Sequence, residues 1–177
     1  MRTVAFFLLS VGLLVLQTTV LQAGPSWFSV PDLVLVLVAF IAYRFPWLSG
    51  LFLCFAAGWM MDVLAGSFPG LFLFQYLFVF LVLLLVTQRS PIRESAYQVP
   101  LVGIVYFTVQ CVSYFAMSAI DAEFLLPWSW GRLIRDTVVV MVATIPCFIL
   151  FNSLYEYLMQ RRTVARVLQR KSGNRFR

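Results

Sequence analysis

Two aspartates, Asp32 and Asp62, are the residues of this sequence whose type and surroundings could support chemistry, because they lie in or beside otherwise apolar stretches. Two carboxylates that come close together can share a proton. Neither aspartate belongs to a GxGD or DxxDG motif, and the sequence has no histidine to act as a general base or metal ligand. Ser–His and Cys–His dyads are therefore excluded, and no phosphate-binding loop is present. We expect a protein that is not an enzyme.

The three cysteines, Cys54, Cys111 and Cys147, lie in separate apolar runs and show no CxxC or other paired spacing. They suggest neither a zinc site nor a disulfide framework. We interpret them as small packing residues, and no motif indicates a bound cofactor or metal ion.

The composition indicates what kind of structure positions the aspartates and cysteines. Of the 177 residues, 62% are hydrophobic and 11% are charged, whereas a soluble domain is about one quarter charged. A soluble fold of this length could not bury so much apolar surface. The chain is therefore predicted to be an all-α integral membrane protein.

Six apolar runs can be read as membrane-spanning helices, each of which needs roughly 20 mostly apolar residues. The second and third runs are short and meet at Phe45–Pro46, which predicts a tight helical hairpin. Residues 1–160 are expected to form one six-helix transmembrane domain. Its spans are predicted at about 3–22, 30–45, 47–65, 70–87, 98–120 and 134–158.

The distribution of the 13 Lys and Arg residues predicts the orientation. With six spans, both termini lie on one side of the membrane, and that side carries every basic residue except Arg132 and Arg135. The positive-inside rule therefore places both termini of this multi-pass protein in the cytoplasm.

Residues 161–177 form a basic cytoplasmic tail that is expected either to anchor the orientation without further structure or to form a short amphipathic helix on anionic lipid. The basic residues expected at the membrane surface are Arg161, Arg162, Arg166, Arg170 and Lys171.

Small or polar residues recur at every fourth position of the third span, at Gly50, Cys54, Gly58, Asp62 and Gly66. Residues four apart lie on one helix face, so the row predicts a groove. Because lipid provides little hydrophobic drive between helices, close backbone contact at small residues supplies much of the attraction. The groove is expected to receive a helix, either another helix of this chain or that of a partner.

The carboxylates are assigned different roles. Asp32 follows Pro31 at the start of the second span, where a helix start signal is the favoured interpretation. Asp62 lies one turn before Gly66, near the outer interface, where an unpaired carboxylate is costly. Since Arg132 and Arg135 are the cations of that side, we hypothesise that one of them forms an ion pair with Asp62.

The segments "VPDLVLVLVAFIAY" and "GWMMDVLAGSFPG" together resemble the family of the rod shape-determining protein MreD. The second segment contains Gly58, Asp62, Gly66 and Gly70 in the frame GxxxDxxxGxxxG. The specific part of the similarity runs from Pro31 to Gly70, while the length, the number of spans and the basic tail agree over nearly the whole chain. Pro31, Asp32 and the four residues of the frame match the family pattern and are expected to be structural or interaction positions.

The resemblance implies a fold similar to the six-helix substrate-binding subunits of energy-coupling-factor transporters. It also implies a place in the bacterial inner membrane and a part in the elongasome, the machinery of peptidoglycan synthesis that regulates cell shape. The partner would be the single-span protein MreC, and through it the MreB cytoskeleton and RodA with its penicillin-binding protein. We therefore expect a non-catalytic membrane scaffold that supports rod shape. The alternative is the substrate-binding membrane subunit of a vitamin-type transporter.

Overall fold

The computed structural model describes residues 2–21, 31–66, 69–89, 95–120 and 129–173, and all regular structure in these ranges is helical. The first helix continues into a π-helical segment at Gln17–Leu21. The helices are α1 (Arg2–Leu16), α2 (Leu33–Arg44), α3 (Trp47–Ala65), α4 (Leu71–Arg89), α5 (Ser95–Ile120) and α6 (Trp130–Gly173). The predicted all-α class is confirmed.

Four of these helices, α3, α4, α5 and α6, are long and apolar enough to cross a membrane. The apolar stretches of α1 (Thr3–Thr19) and α2 (Leu33–Arg44) are shorter. The structure thus describes a membrane-embedded protein with four helices of spanning length, two fewer than the six predicted spans. The predicted second span, 30–45, shrinks to twelve helical residues because Asp32 caps the helix and Phe45 is already extended before Pro46.

The short helix α2 lies at the centre of the bundle. Its residues from Val34 to Ala42 are all buried, and α1, α3, α4 and α6 pack around it. A helix that is apolar on every side is stable only where every side is covered by protein or lipid. Here protein covers it, so α2 forms the core against which the longer helices are arranged.

Aromatic rings hold the Arg44 end of α2 between α1 and α6. The Phe6 ring stacks on Phe40 at a centroid distance of 5.8 Å, and Phe45 meets Tyr155 edge to face at the same distance. Such pairs contribute on the order of 0.5–1.5 kcal/mol beyond the area they bury. They fix the first and last helices to the central one.

The helical backbone of α6 continues past residue 160, the predicted domain boundary, to Gly173. The tail residues 161–173 are therefore an extension of α6 rather than a separate helix. The side chains of Arg161, Arg162, Arg166, Arg170 and Lys171, and residues 174–177 altogether, lie outside the part of the chain that the structure describes.

Candidate functional site

The small-residue row of α3 is covered by α4 of the same chain. Gly50, Cys54 and Gly58 are buried. A Cβ atom added at Gly58 would lie 2.7 Å from the Leu73 Cα atom, and one added at Gly50 would lie 2.6 Å from the Phe80 ring. Both distances are shorter than van der Waals contact, and at Gly58, where the obstacle is backbone, only glycine admits α4 at this separation. Of the two helices that the groove could receive, it receives one from its own chain.

The two glycines between α3 and α4 shape the turn. Gly66 ends α3 in the left-handed conformation with φ +60°, and Gly70 precedes α4 with φ +95°. Side chains other than glycine rarely adopt these φ values. The amide of Gly66 also donates to the Asp62 carbonyl at 3.2 Å. Gly66 and Gly70 therefore let the chain reverse within a few residues.

Asp62 closes the same hairpin. Its carboxylate oxygens accept hydrogen bonds from the backbone amides of Phe72 at 2.9 Å and Leu73 at 3.2 Å. These amides belong to the first turn of α4, where they have no intrahelical acceptor and where the helix dipole favours a negative charge. Asp62 on α3 is thus the capping group of α4.

The hypothesised ion pair of Asp62 with Arg132 or Arg135 is not formed. Among the described residues, the ion pair of Arg135 is with its neighbour Asp136, at 3.7 Å from Nε to Oδ1. The physical reason is that the turn at Gly66 and Gly70 brings two amides of α4 to the Asp62 carboxylate, and both donate to it.

Asp32 caps α2, as its interpretation as a helix start predicts. Its carboxylate accepts from the Leu35 amide at 3.0 Å, and Pro31 stands just before this capping residue. The Tyr76 hydroxyl donates to the same carboxylate, at 3.2 Å from each oxygen. Sequence reasoning missed Tyr76, whose only signal was a phenol within the apolar run of α4. The Gln17 side chain lies beside this carboxylate, and its Oε1 is buried without a partner.

A Tyr76→Phe variant is expected to be less stable by about 1–3 kcal/mol, because the Asp32 carboxylate loses the hydrogen bond from the Tyr76 hydroxyl. The measurement is the free energy of unfolding in mixed micelles, followed by circular dichroism. Tyr97→Phe is the matched control, since Tyr97 is exposed on α5. Equal stability of the two variants would show that the Tyr76 hydroxyl contributes nothing to the capping of α2.

A concave apolar surface lies between α1 and α3, and we call it the α1–α3 groove. It has a volume of about 370 Å³. Its lining is entirely hydrophobic: Val11, Leu14, Val15, Trp59, Met60, Val63 and Leu64. The exposed face of α3 continues from the groove with the Phe55 ring stacked on Trp59 at a centroid distance of 6.1 Å. This face is distinct from the small-residue row that packs on α4.

The chemistry available in these sites is that of packing and hydrogen bonding. The part of the chain that the structure describes brings no three His, Cys, Asp or Glu side chains together as metal ligands. Asp32 and Asp62 each cap a different helix rather than forming a carboxylate pair. The fold and these sites define a membrane-embedded helical protein in which Asp32 and Asp62 serve the protein's own helix ends.

Comparison with protein families, curated proteins and solved structures finds no match for this chain.

Proposed function

We propose that this protein is a non-catalytic membrane scaffold of the bacterial elongation machinery, similar to MreD, which binds a single-span MreC-like partner and supports rod shape and peptidoglycan synthesis. Through that partner it would act on MreB and on RodA with its penicillin-binding protein. The proposal places the chain in the inner membrane with six spans and both termini in the cytoplasm, α1 and α2 being the two shorter spans.

The use of the GxxxDxxxGxxxG frame supports the resemblance on which this proposal rests. Each of its four residues has a separate task in the α3–α4 hairpin: Gly58 admits α4, Asp62 caps it, and Gly66 and Gly70 make the turn. Because each of the four residues has its own structural role, the frame is not a chance spacing of small residues. It also assigns the frame to the scaffold's own architecture rather than to partner binding.

The α1–α3 groove is the observation that carries the scaffold function. Helices associate in lipid mainly through van der Waals packing, and the concave α1–α3 groove offers a partner helix a surface for close packing. Trp59 and Val63 stand on its rim, exposed by 59% and 70%. Since the small-residue row is occupied by α4, we assign the docking of the partner helix to this groove.

The test is native mass spectrometry of the protein extracted gently from its own membrane. Val63→Trp is expected to fill the groove and lower the recovery of a co-purifying single-span protein by about tenfold, which corresponds to roughly 1.4 kcal/mol. Val142→Trp is the matched control, because Val142 is 63% exposed on α6 and does not line the groove. Its recovery of the partner should equal that of the unmodified protein.

Two results would contradict the scaffold proposal. Equal loss of the partner in Val63→Trp and Val142→Trp would remove the groove as the docking site. A stoichiometric small molecule, with no protein partner, would favour the transporter function instead.

The observation that favours a substrate-binding transporter subunit is the polar cluster of Asp32, Tyr76 and Gln17, where the buried Gln17 Oε1 lacks a partner. A ligand donor could satisfy that oxygen. Against this, the Asp32 carboxylate is already bound by Leu35 and Tyr76, whereas a small-molecule site needs several convergent polar groups that are free to bind. We therefore place this function second.

A further inference from the structure

A second cavity, of about 510 Å³, lies between α2, α5 and α6 at the Arg44 end of the bundle. Its volume falls in the range of small-molecule sites, roughly 300–1,000 Å³. Unlike the α1–α3 groove, it combines an apolar wall with polar groups. The polar side chains that line it are Tyr43, Arg44, Gln98, Asn152 and Ser153.

The Arg44 guanidinium is held in place at this cavity. It donates to Asn152 Oδ1 at 2.7 Å and lies 5.9 Å from the centroid of the Tyr155 ring. Asn152 in turn donates to Glu156 at 2.8 Å, which fixes the orientation of its amide. Within the described ranges no carboxylate lies at ion-pair distance from Arg44. Asn152 accepts one of the five guanidinium N–H groups, so others remain for a ligand.

The Tyr43 hydroxyl gives an independent sign of a ligand. It is buried, it has no hydrogen-bond partner, and Tyr43 lines the same cavity as Arg44. A buried hydroxyl without a partner is unfavourable, and such groups are rare in folded proteins. Because both residues line this cavity, an anionic ligand held by Arg44 would bring an acceptor toward the Tyr43 hydroxyl.

The remaining wall of the cavity is apolar and faces outward along α6. Phe148 forms part of it, and Ile145 and Ile149 are exposed at 52% and 66%. In a membrane-embedded helix these exposed side chains meet acyl chains. The cavity is therefore polar where it meets Arg44 and continuous with the lipid along α6.

We propose that this cavity binds one glycerophospholipid of the adjacent leaflet. Its phosphodiester accepts hydrogen bonds from Arg44 and Tyr43, since guanidinium groups bind phosphate through paired N–H donors. One acyl chain lies along Ile145, Phe148 and Ile149. This lipid site is separate from the α1–α3 groove and does not rest on the scaffold function.

The experiment compares two lipids that differ in the phosphate. Full-length protein, delipidated in detergent, is titrated with phosphatidylglycerol or with diacylglycerol of the same acyl chains, and bound lipid is counted by native mass spectrometry. The unmodified protein is expected to bind one phosphatidylglycerol, and diacylglycerol at least about tenfold more weakly. Equal binding of the two lipids would overturn the proposal.

Three variants test the residues. Arg44→Gln is expected to weaken phosphatidylglycerol binding by about tenfold and Tyr43→Phe by about threefold, whereas Arg135→Gln, at the opposite end of the bundle, leaves it unchanged. Tyr43→Phe keeps the proposal testable if Arg44→Gln unfolds, because the Tyr43 hydroxyl has no protein partner to lose. Binding by Tyr43→Phe equal to that by Arg135→Gln would overturn the assigned phosphate contact.

Discussion

A Gly58→Ala variant is expected to lose about 1–3 kcal/mol of stability, and Gly58→Leu more, because the added atoms force α3 and α4 apart. The Cβ atom would lie 2.7 Å from Leu73 Cα, which is backbone and cannot rotate away. At Gly50 the nearest atoms belong instead to the Phe80 side chain. Of these two packing positions, Gly58 is therefore the one that tolerates a methyl group less. The measurement is the free energy of unfolding, by titration from mild detergent into sodium dodecyl sulfate.

Gly12→Ala is the control for this substitution. Gly12 lies within α1, and a Cβ atom added there meets nothing within 4 Å. Alanine is a better helix former than glycine by roughly 1 kcal/mol, so Gly12→Ala should be neutral or slightly stabilising. A Gly58→Ala variant as stable as Gly12→Ala would mean that α3 and α4 do not rely on this close approach.

An Asp62→Ala variant is expected to lose about 2–3 kcal/mol, because two backbone amides at the start of α4 lose their charged acceptor. Asp62→Asn keeps a neutral acceptor and should lose about half as much. The same titration measures both variants, and hydrogen exchange at Phe72 and Leu73 should rise in Asp62→Ala, since these are the amides that Asp62 binds.

Arg132→Gln and Arg135→Gln separate the capping role from the ion pair that the sequence suggested. If Asp62 caps α4, both arginine variants keep the stability of the unmodified protein. A loss of stability in either variant that equals the loss in Asp62→Ala, and that is absent when Asp62 is already alanine, would instead support the ion pair.

The sequence predicted α3 and its small-residue contact face because local signals surround them. The predicted third span, 47–65, coincides with α3, since Pro46 precedes its first turn and Gly66 ends it. The fourth-position spacing predicted a close helix contact at Gly50 and Gly58. It could not identify the partner helix, because such spacing defines a face of one helix and carries no information about what packs on it.

Other features depend on contacts distant in the sequence. The partners of Asp62 became available only through the positive-φ turn at Gly66 and Gly70, and Tyr76 reaches Asp32 across 44 positions. The cavity at Arg44 depends on Asn152, which is 108 positions away. In each case the sequence identified a polar residue, while its hydrogen-bond partner depended on the tertiary packing of the helices.

The shortness of α2 has a consequence for the bilayer around the protein. Twelve residues rise by about 18 Å, while the hydrocarbon layer of a bilayer is roughly 30 Å thick. Asp32 and Arg44, at its two ends, are therefore too close together to reach both headgroup layers. The polar groups at its two ends are therefore bound within the protein: Leu35 and Tyr76 donate to Asp32, and Asn152 accepts from Arg44.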